Sequence, residues 1–522
     1  HERKAFFKFV NNKCVSQKQP INLLGNGATL TDHEAAEHFQ REFCNNFSAV
    51  ACKPSTFTCS NASTARAQFP LLNSSETLIL DAIRNCSNTN SSPDGVSFHL
   101  IKSIAKYIVQ PLNMVFQHCF YECIFPSAWK CAVILPLYKG RGERNDVASY
   151  RPISLCACLG KVMEKVVCTQ LVLFISGNNL LHQSQHGFTS GRSTTTNILQ
   201  FDAVIADVLS HDHAYDVISV DFKKAFDKAP HHRVIASLSH IGVCGKALNW
   251  FLSFLSGRTQ QVRVGNSLST CSYVSSGVIQ GSILGPVLFT VFTDSLLRKT
   301  TMPVVGFADD FKFLADVSLH TRQEVQAVID AIIQWSDENN MPLSTDKCAV
   351  MHCGHQQPLH MYYIHGLPLA IVDSFQDLGV RRTACATYNG HCAQLAAKAS
   401  RVAGSIRRAF PSASRKLRWP AFQTYVLPVI MYLSQAWHPK LKRDVNLLEK
   451  VQRRFTKAIK GLRDLTYVER LRELQALTIA NRMIYADMVF IHKCLHGKVN
   501  VAASDLGLFP RSSNTRADGR RL

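Results

Sequence analysis

The stretch VVGFADDFKFLA, residues 304–315, sets Asp309 and Asp310 side by side between two apolar runs. Adjacent aspartates suit two roles. They can form a solvated turn, where Asp is at home, or sit at a hairpin tip and offer hard oxygen ligands to divalent cations. A third carboxylate lies upstream, in YDVISVDFKKAFDKAPHHRV, residues 215–234. Period-two alternation puts Ile218, Val220 and Phe222 on one face of a strand, and Ser219 with Asp221 on the other. A carboxylate at the end of an apolar strand is costly to desolvate unless it is paired or binds a cation. Capping of the following helix is the competing role for Asp221.

Three more stretches carry residue types suited to chemistry. In SSGVIQGSILGPVLFTVFTDSLL, Gly277, Gly281 and Gly285 make a pliant loop, and Pro286 suits the first turn of an apolar helix. Such a loop can approach a ligand with its backbone, or simply lead into a buried helix. In LPLYKGRGERNDVASYRPISL, Lys139, Arg141, Arg144 and Arg151 fall on a strand–loop–strand pattern. Those cations suit a triphosphate or a solvated basic loop. Cys348, His352, Cys353 and His355 cluster in KCAVMHCGH. A zinc site wants two well-spaced ligand pairs, and no second pair follows at a fitting distance, so zinc is not expected there.

These residues need a frame, and from about 130 to 380 strands and helices alternate with Gly and Pro at many junctions. The apolar runs around the double aspartate are short enough for a hairpin. Ahead of that region the chain reads as helical with polar breaks. TDHEAAEHFQREFCNNF offers Thr31 or Asp32 as N-cap, with a capping-box Glu34. FHLIKSIAKYIVQPLNMVFQHCF is a second helix, which Pro111 should kink or split. Past 380 the pattern is helical again. In DVNLLEKVQRRFTKAIKGL, Leu448, Val451, Phe455, Ile459 and Leu462 recur at helical spacing, with Lys450, Arg453, Arg454, Lys457 and Lys460 largely elsewhere on the wheel.

At 522 residues the chain is long enough for two or three domains. Its net charge of +21 calls for a polyanionic partner, nucleic acid first and an anionic membrane surface second. The charge is uneven: Lys398 to Arg463 holds sixteen Lys or Arg against two acids, a net +14. A solvated helical face usually mixes both signs, so this segment favours phosphate. Eighteen scattered cysteines without regular spacing argue for reduced intracellular thiols. Sequons at Asn46 and Asn73 are the weak counter-sign. No run of eighteen apolar residues suggests a membrane span. The opening HERKAFFKFV has no signal-peptide pattern, and the chain reads as a piece whose true start lies upstream.

In order and combination, the basic loop, SYRPISL, QHGFTSGRST, a strand ending in Asp221 with AFD, GVIQGSILGP and FADD resemble a reverse transcriptase of the non-LTR retrotransposon type, close to the jockey-like elements. The resemblance covers roughly residues 95–470, and LPVIMYLSQAWHP with LEKVQRRFTKAI is similar to the segment after the palm in such elements. It implies an α+β right hand. Residues 1–125 would be a helical N-terminal extension, 126–380 the fingers and an antiparallel palm, and 381–522 a helical basic thumb and C-terminal region.

The resemblance also implies roles. Asp221 and Asp309 would bridge two Mg²⁺ ions, with Mn²⁺ as an alternative, while Asp310 supports them and the Phe222 carbonyl completes a shell. Lys139 and Arg151 would hold the incoming triphosphate. Phe226 would be the steric gate beneath the sugar, and Gln280 with Gly281 would line the nucleotide and template pocket. Lys347 would donate a proton to pyrophosphate, and QDLGV (376–380) resembles the primer-grip hairpin. Arg453, Arg454 and Lys457 are expected on the template–primer backbone. The implied partners are an RNA template, a DNA primer or target, and dNTPs, at work in cytoplasm and nucleus. No apurinic-type endonuclease or Cys/His knuckle is read in the chain, so target nicking is not expected of it.

Two rival readings share these residues. An RNA-dependent RNA polymerase has the same palm acids, but commonly places an Asp five or so residues after the first and a Gly before the pair. Here those positions are Phe226, followed at once by Asp227, and Ala308. The other rival is a catalytically inactive derivative that only binds RNA.

Overall fold

Strand β3, Tyr215–Val220, is apolar on both faces and becomes the centre of a five-stranded sheet. Ile218 and Val220, followed by Phe222, face the largest core of the molecule, as the alternation predicts. Tyr215 and Val217 face the other way, onto Phe201 and Ile205 of helix α5, Thr194–Ser210. On one side β3 pairs antiparallel with β7, Asp310–Asp316, which folds back on β6, Val304–Phe307. On the other it pairs antiparallel with β8, Ala349–Cys353, edged by the short parallel strand β9, Ala370–Ile371. The double aspartate therefore lies at the turn of an antiparallel palm hairpin.

This computed structural model describes residues 23–25, 28–48, 67–87, 92–140, 142–385, 387–410 and 414–502. The opening stretch, Arg141 and the first part of the loop at 88–97 lie outside these described residues.

A second sheet holds the basic loop. Strand β1, Cys131–Tyr138, pairs antiparallel with β2, Tyr150–Leu155, and parallel with β4, Thr259–Val264, which continues into β5, Ser267–Leu268. Helix α1, Asp32–Asn45, packs Ala36, Phe39 and Phe43 against this sheet. Its N-terminus carries the expected capping box between Thr31 and Glu34.

Helices α2, Glu76–Asn85, and α3, Phe98–Tyr121, share the core of α4, Cys158–Gly177, α6, Gly245–Leu255, and the palm sheet. The split expected at Pro111 does not occur, because α3 runs continuously through it. Val109, Leu112, Phe116 and Phe120 are buried along one side of it, while Pro111 lies on the exposed side. That burial offsets the loss of one backbone hydrogen bond.

A separate core begins after the hairpin β10, Ser374–Asp377, and β11, Val380–Thr383. It gathers helices α8, Asn389–Ala409, and α9, Lys442–Lys457, with the helix Ile479–Leu495. Leu448, Val451, Phe455, Ile459 and Leu462 are all buried in it, so the apolar stripe read from the sequence is the packing face. Ile198 of α5 joins the same core and ties it to the palm. Among the described residues the cysteines are free thiols, and no helix is long and apolar enough to cross a membrane.

Candidate active site

Register brings the three acids together. Phe311 of β7 stands opposite Val220 of β3, so Asp310 and Asp221, one residue further on each strand, lie at the same sheet end. Asp309 occupies the adjacent turn, closed by the Asp310–Phe307 pair. Burial pushes the carboxyl of Asp310 up to about 6, Lys312 opposes it, and Asp377, Asp309 and Asp221 add to the push. Burial likewise raises Asp309, with Asp221 adding to it and Lys347 and Arg151 pulling it down. The ammonium of Lys347 lies 2.9 Å from Asp221 Oδ1. Segment 342–348 straps the end of β3. Lys223 N–H donates to Pro342 O (2.8 Å), Ser344 N–H to Asp221 O (2.8 Å), and Asp221 N–H to Cys348 Sγ (3.5 Å).

The turn itself is held under strain. Ala308 has φ +60° while Asp309 does not, the pattern of a two-residue turn that prefers glycine first. A left-handed alanine costs roughly 1–2 kcal/mol, so something must hold it. That residue is Gln185, fully buried, whose Oε1 accepts the N–H groups of both Gly187 (2.9 Å) and Ala308 (3.3 Å). Around it His186 N–H donates to Gly306 O, and Gly306 N–H to Ser184 O, each at 2.9 Å. A Cβ on Gly187 would collide with the Ala308 nitrogen. QHGFTSGRST is thus the strap behind FADD. Its motif was visible in the sequence, but the role of Gln185 was not.

The residues expected on the nucleotide side lie on the neighbouring elements. Phe226 stacks on Phe289 of helix α7, Gly285–Leu297, with ring centroids 4.4 Å apart. Phe188 meets it edge-on at 6.3 Å. Gln280 O accepts the N–H of Ser154 at 2.7 Å, which zips the glycine loop to β2. Gly281 sits at φ +122°, where a Cβ would collide with Ser154 O, so only glycine fits there. Gln280 Nε2 donates to Asp227 Oδ1 at 3.2 Å. Asp227 is buried, and burial pushes its carboxyl up to about 6, against Lys224, Gln280 and Lys139.

Arg151 is exposed on β2 and near enough to Asp309 to act on its charge. Lys139 donates to Ala148 O at 2.5 Å, on the side of Asp227. Arg144 lies over the Tyr138 ring instead. The side chain of Phe222 is buried between Phe311 and Trp335.

The basic segment splits. Arg454 and Lys457 line an open concavity of about 700 Å³ with Arg407, Lys460 and Arg463. Arg453 instead lies over the Tyr467 ring, 5.0 Å from its centroid. In QDLGV, Asp377 closes the β10–β11 hairpin and is ion-paired inward to Lys312 and Arg382. The Cys/His cluster disperses. Cys348 lies beneath Asp221, Cys353 is in the core, His352 bonds Asp216 at 2.6 Å, and His355 is exposed.

Among the described residues no group of three or more His, Cys, Asp or Glu stands together in a way that could hold a metal ion. The donor chemistry still fits Mg²⁺. The oxygens of Asp221, Asp309 and Asp310 are hard donors, and burial with neighbouring acids holds the Asp309 and Asp310 carboxyls above their ordinary values. Mg²⁺ commonly shares such carboxylates with substrate phosphates rather than a complete protein cage.

Paired carboxylates end a central antiparallel hairpin beside a basic strand and a glycine loop, the arrangement that the resemblance to reverse transcriptases implies. Residues 140–383 match the family model described as reverse transcriptase (RNA-dependent DNA polymerase), and the chain carries that domain. Its relatives include the RNA-directed DNA polymerase from mobile element jockey of Drosophila melanogaster, 23% identical over 69% of this chain and 41% of that one. The jockey polymerase of Drosophila funebris is 20% identical over 87% of this chain and 52% of its own. The chain spans about half the length of these curated relatives. An apo telomerase structure from Candida tropicalis aligns over 50% of this chain and 55% of its own, at TM-score 0.35 and 12% identity.

Proposed function

We propose that this chain is an RNA-directed DNA polymerase of a non-LTR retrotransposon, extending a primer 3′-hydroxyl with dNTPs on an RNA template. The observation that carries the reading is the convergence of Asp221, Asp309 and Asp310 beside Arg151. Asp221 and Asp309 would hold two Mg²⁺ ions, with Asp310 and the Phe222 carbonyl in support. When bound, such ions would supply the charge that makes the hydroxyl nucleophilic and stabilises the leaving pyrophosphate. Arg151 and Lys139 draw the triphosphate into line, Arg151 from the acid side. Gln280 and Gly281 form the wall against which base and sugar settle. Phe226, braced from below by Phe289, excludes a 2′-hydroxyl by its bulk. Lys347, 2.9 Å from Asp221 Oδ1, would hand a proton to the departing pyrophosphate. An RNA template and a chromosomal target would put this work in cytoplasm and nucleus.

The RNA polymerase reading loses ground at Asp227. Its carboxylate is buried and bonded to Gln280 rather than free to meet a ribose. The test is extension of a DNA primer on an RNA template by the purified chain with Mg²⁺ and dNTPs. Extension that depends on Asp309 is expected. Template binding without extension would mean an inactive RNA-binding derivative, and faster use of ribonucleotides would mean the other polymerase class.

A further inference from the structure

The glycine loop is tied to a carboxylate that no step above uses. Glu164 lies in α4, 1% exposed, among the core residues Val162, Met163, Val166 and Val167. Its Oε2 accepts the N–H groups of Ile283 at 2.7 Å and Leu284 at 3.1 Å. These N–H groups stand at the start of α7 and have no partner within that helix. Burial pushes Glu164 up, and Arg258, with those two backbone bonds, works against it. Arg258 is 2% exposed and anchored to Phe254 O at 2.9 Å, so its opposing charge is fixed.

Two parts of the nucleotide pocket hang on that anchor. Gln280 and Gly281 lie just before Ile283, and their contact with β2 runs through the Gln280 carbonyl and Ser154. Phe289 lies one turn into α7, and its ring is the floor on which Phe226 rests. A shift of the α7 start would move the loop and the floor together.

We propose that Glu164 is a positioning residue for the nucleotide pocket. By holding Ile283 and Leu284 it sets the place of Gln280 and Gly281 and the height of the Phe289–Phe226 stack, and through them dNTP affinity and sugar selectivity. This rests on the polymerase reading above. A carboxylate that merely stabilises α4 against α7 would alter folding stability and leave selectivity alone.

The experiment is steady-state primer extension on an RNA template, reading kcat, KM for dNTP and the ribo-to-deoxynucleotide ratio, with template–primer affinity measured separately. Glu164→Leu should raise KM roughly tenfold and relax sugar discrimination several-fold at unchanged template–primer affinity, about the loss of one charge-assisted bond. Glu164→Gln keeps an acceptor oxygen and should raise KM only about threefold. The glutamine variant decides alone if the leucine variant fails to fold. An unchanged KM and ratio in the deciding variant overturns the proposal. A fall in kcat and template–primer affinity with KM and ratio constant overturns it as well. A wild-type chain that extends no primer removes the polymerase reading and this proposal with it; an active wild type with indifferent variants removes this proposal alone.

Discussion

Asp310 is half-buried and Asp377 fully buried, near enough for the charge of Asp377 to act on Asp310, yet the fold treats them in opposite ways. Burial pushes Asp377 up, but Lys312 and Arg382 outweigh it and hold the carboxyl below its ordinary value. Arg382 passes the compensation on, 2.5 Å from Asp202 of α5, so an alternating chain of charges joins β7, the β10–β11 hairpin and α5. At Asp310 burial and three acids outweigh Lys312, and its carboxyl stands at about 6. The structural acid is balanced inside the protein. The site acids are left short of positive charge, which a cation and its substrate would bring.

The largest expected effect tests the undercompensated side. Asp309→Asn keeps the shape and removes charge, and should cut primer extension by roughly three orders of magnitude or more. Template–primer affinity should stay within about twofold. Substantial extension by this variant, with the same metal, would mean the turn carboxylate is not the one that matters.

The compensated side should respond in the fold instead. Asp377→Asn leaves Lys312 and Arg382 buried with one charge too many, and removing one partner of such a pair costs about 3–5 kcal/mol. Urea unfolding would read it. A loss well under 1 kcal/mol would show that the ion chain is not a stabilising unit.

Asp310→Asn should move stability the other way. In the folded chain this acid binds its proton more tightly than the ordinary value of 3.8 allows, about 6 against 3.8. Charging it therefore costs stability as pH rises through about 6, and the cost is absent below about 4. Without metal, the asparagine variant should exceed the wild type by about 1–3 kcal/mol at pH 8. That gap should close as pH falls from 6 to 4, and millimolar Mg²⁺ should narrow it at pH 8 by stabilising the wild type. Equal stability of the two proteins across that range would remove the contrast with Asp377.

How much of this was legible follows from the same physics. The apolar alternation set Asp221, Asp309 and Asp310 apart but left a turn or a helix cap open for each, and their expected joint role came from the order of the motifs and the resemblance it carries. Gln185 and Glu164 could not be read at all. Each is a single polar residue whose partners are backbone N–H groups from elsewhere in the chain, and a sequence pattern does not show where backbone goes. The ion chain was hidden for a related reason: Asp202, Lys312, Asp377 and Arg382 come from three separate segments, and only the register of β7 and the β10–β11 hairpin brings them together. The split expected at Pro111 weighed propensity without the buried face of α3.

The basic segment extends the comparison to charges of the other sign. Arg407, Arg454, Lys457, Lys460 and Arg463 line one concavity, and among the described residues no acid lines it with them. They are exposed, so the imbalance costs little in the free protein and is screened by salt. The sequence placed Arg453 with Arg454 and Lys457, but the ring of Tyr467 takes Arg453 out of the group. A phosphate backbone is the polyanion that such a patch fits, and each phosphate neutralised adds roughly one unit to the salt slope of binding. Replacing Arg454 and Lys457 by Gln should lower template–primer affinity several-fold, alike for all sequences, and reduce that slope by about two. Arg453→Gln, made alone, should leave the slope nearly as it was. Its loss should appear as about 0.5–1 kcal/mol of folding stability, the usual worth of an exposed cation–π contact. If the single variant flattened the slope and the double variant did not, the stacked arginine would be the phosphate ligand and the concavity only a solvated face.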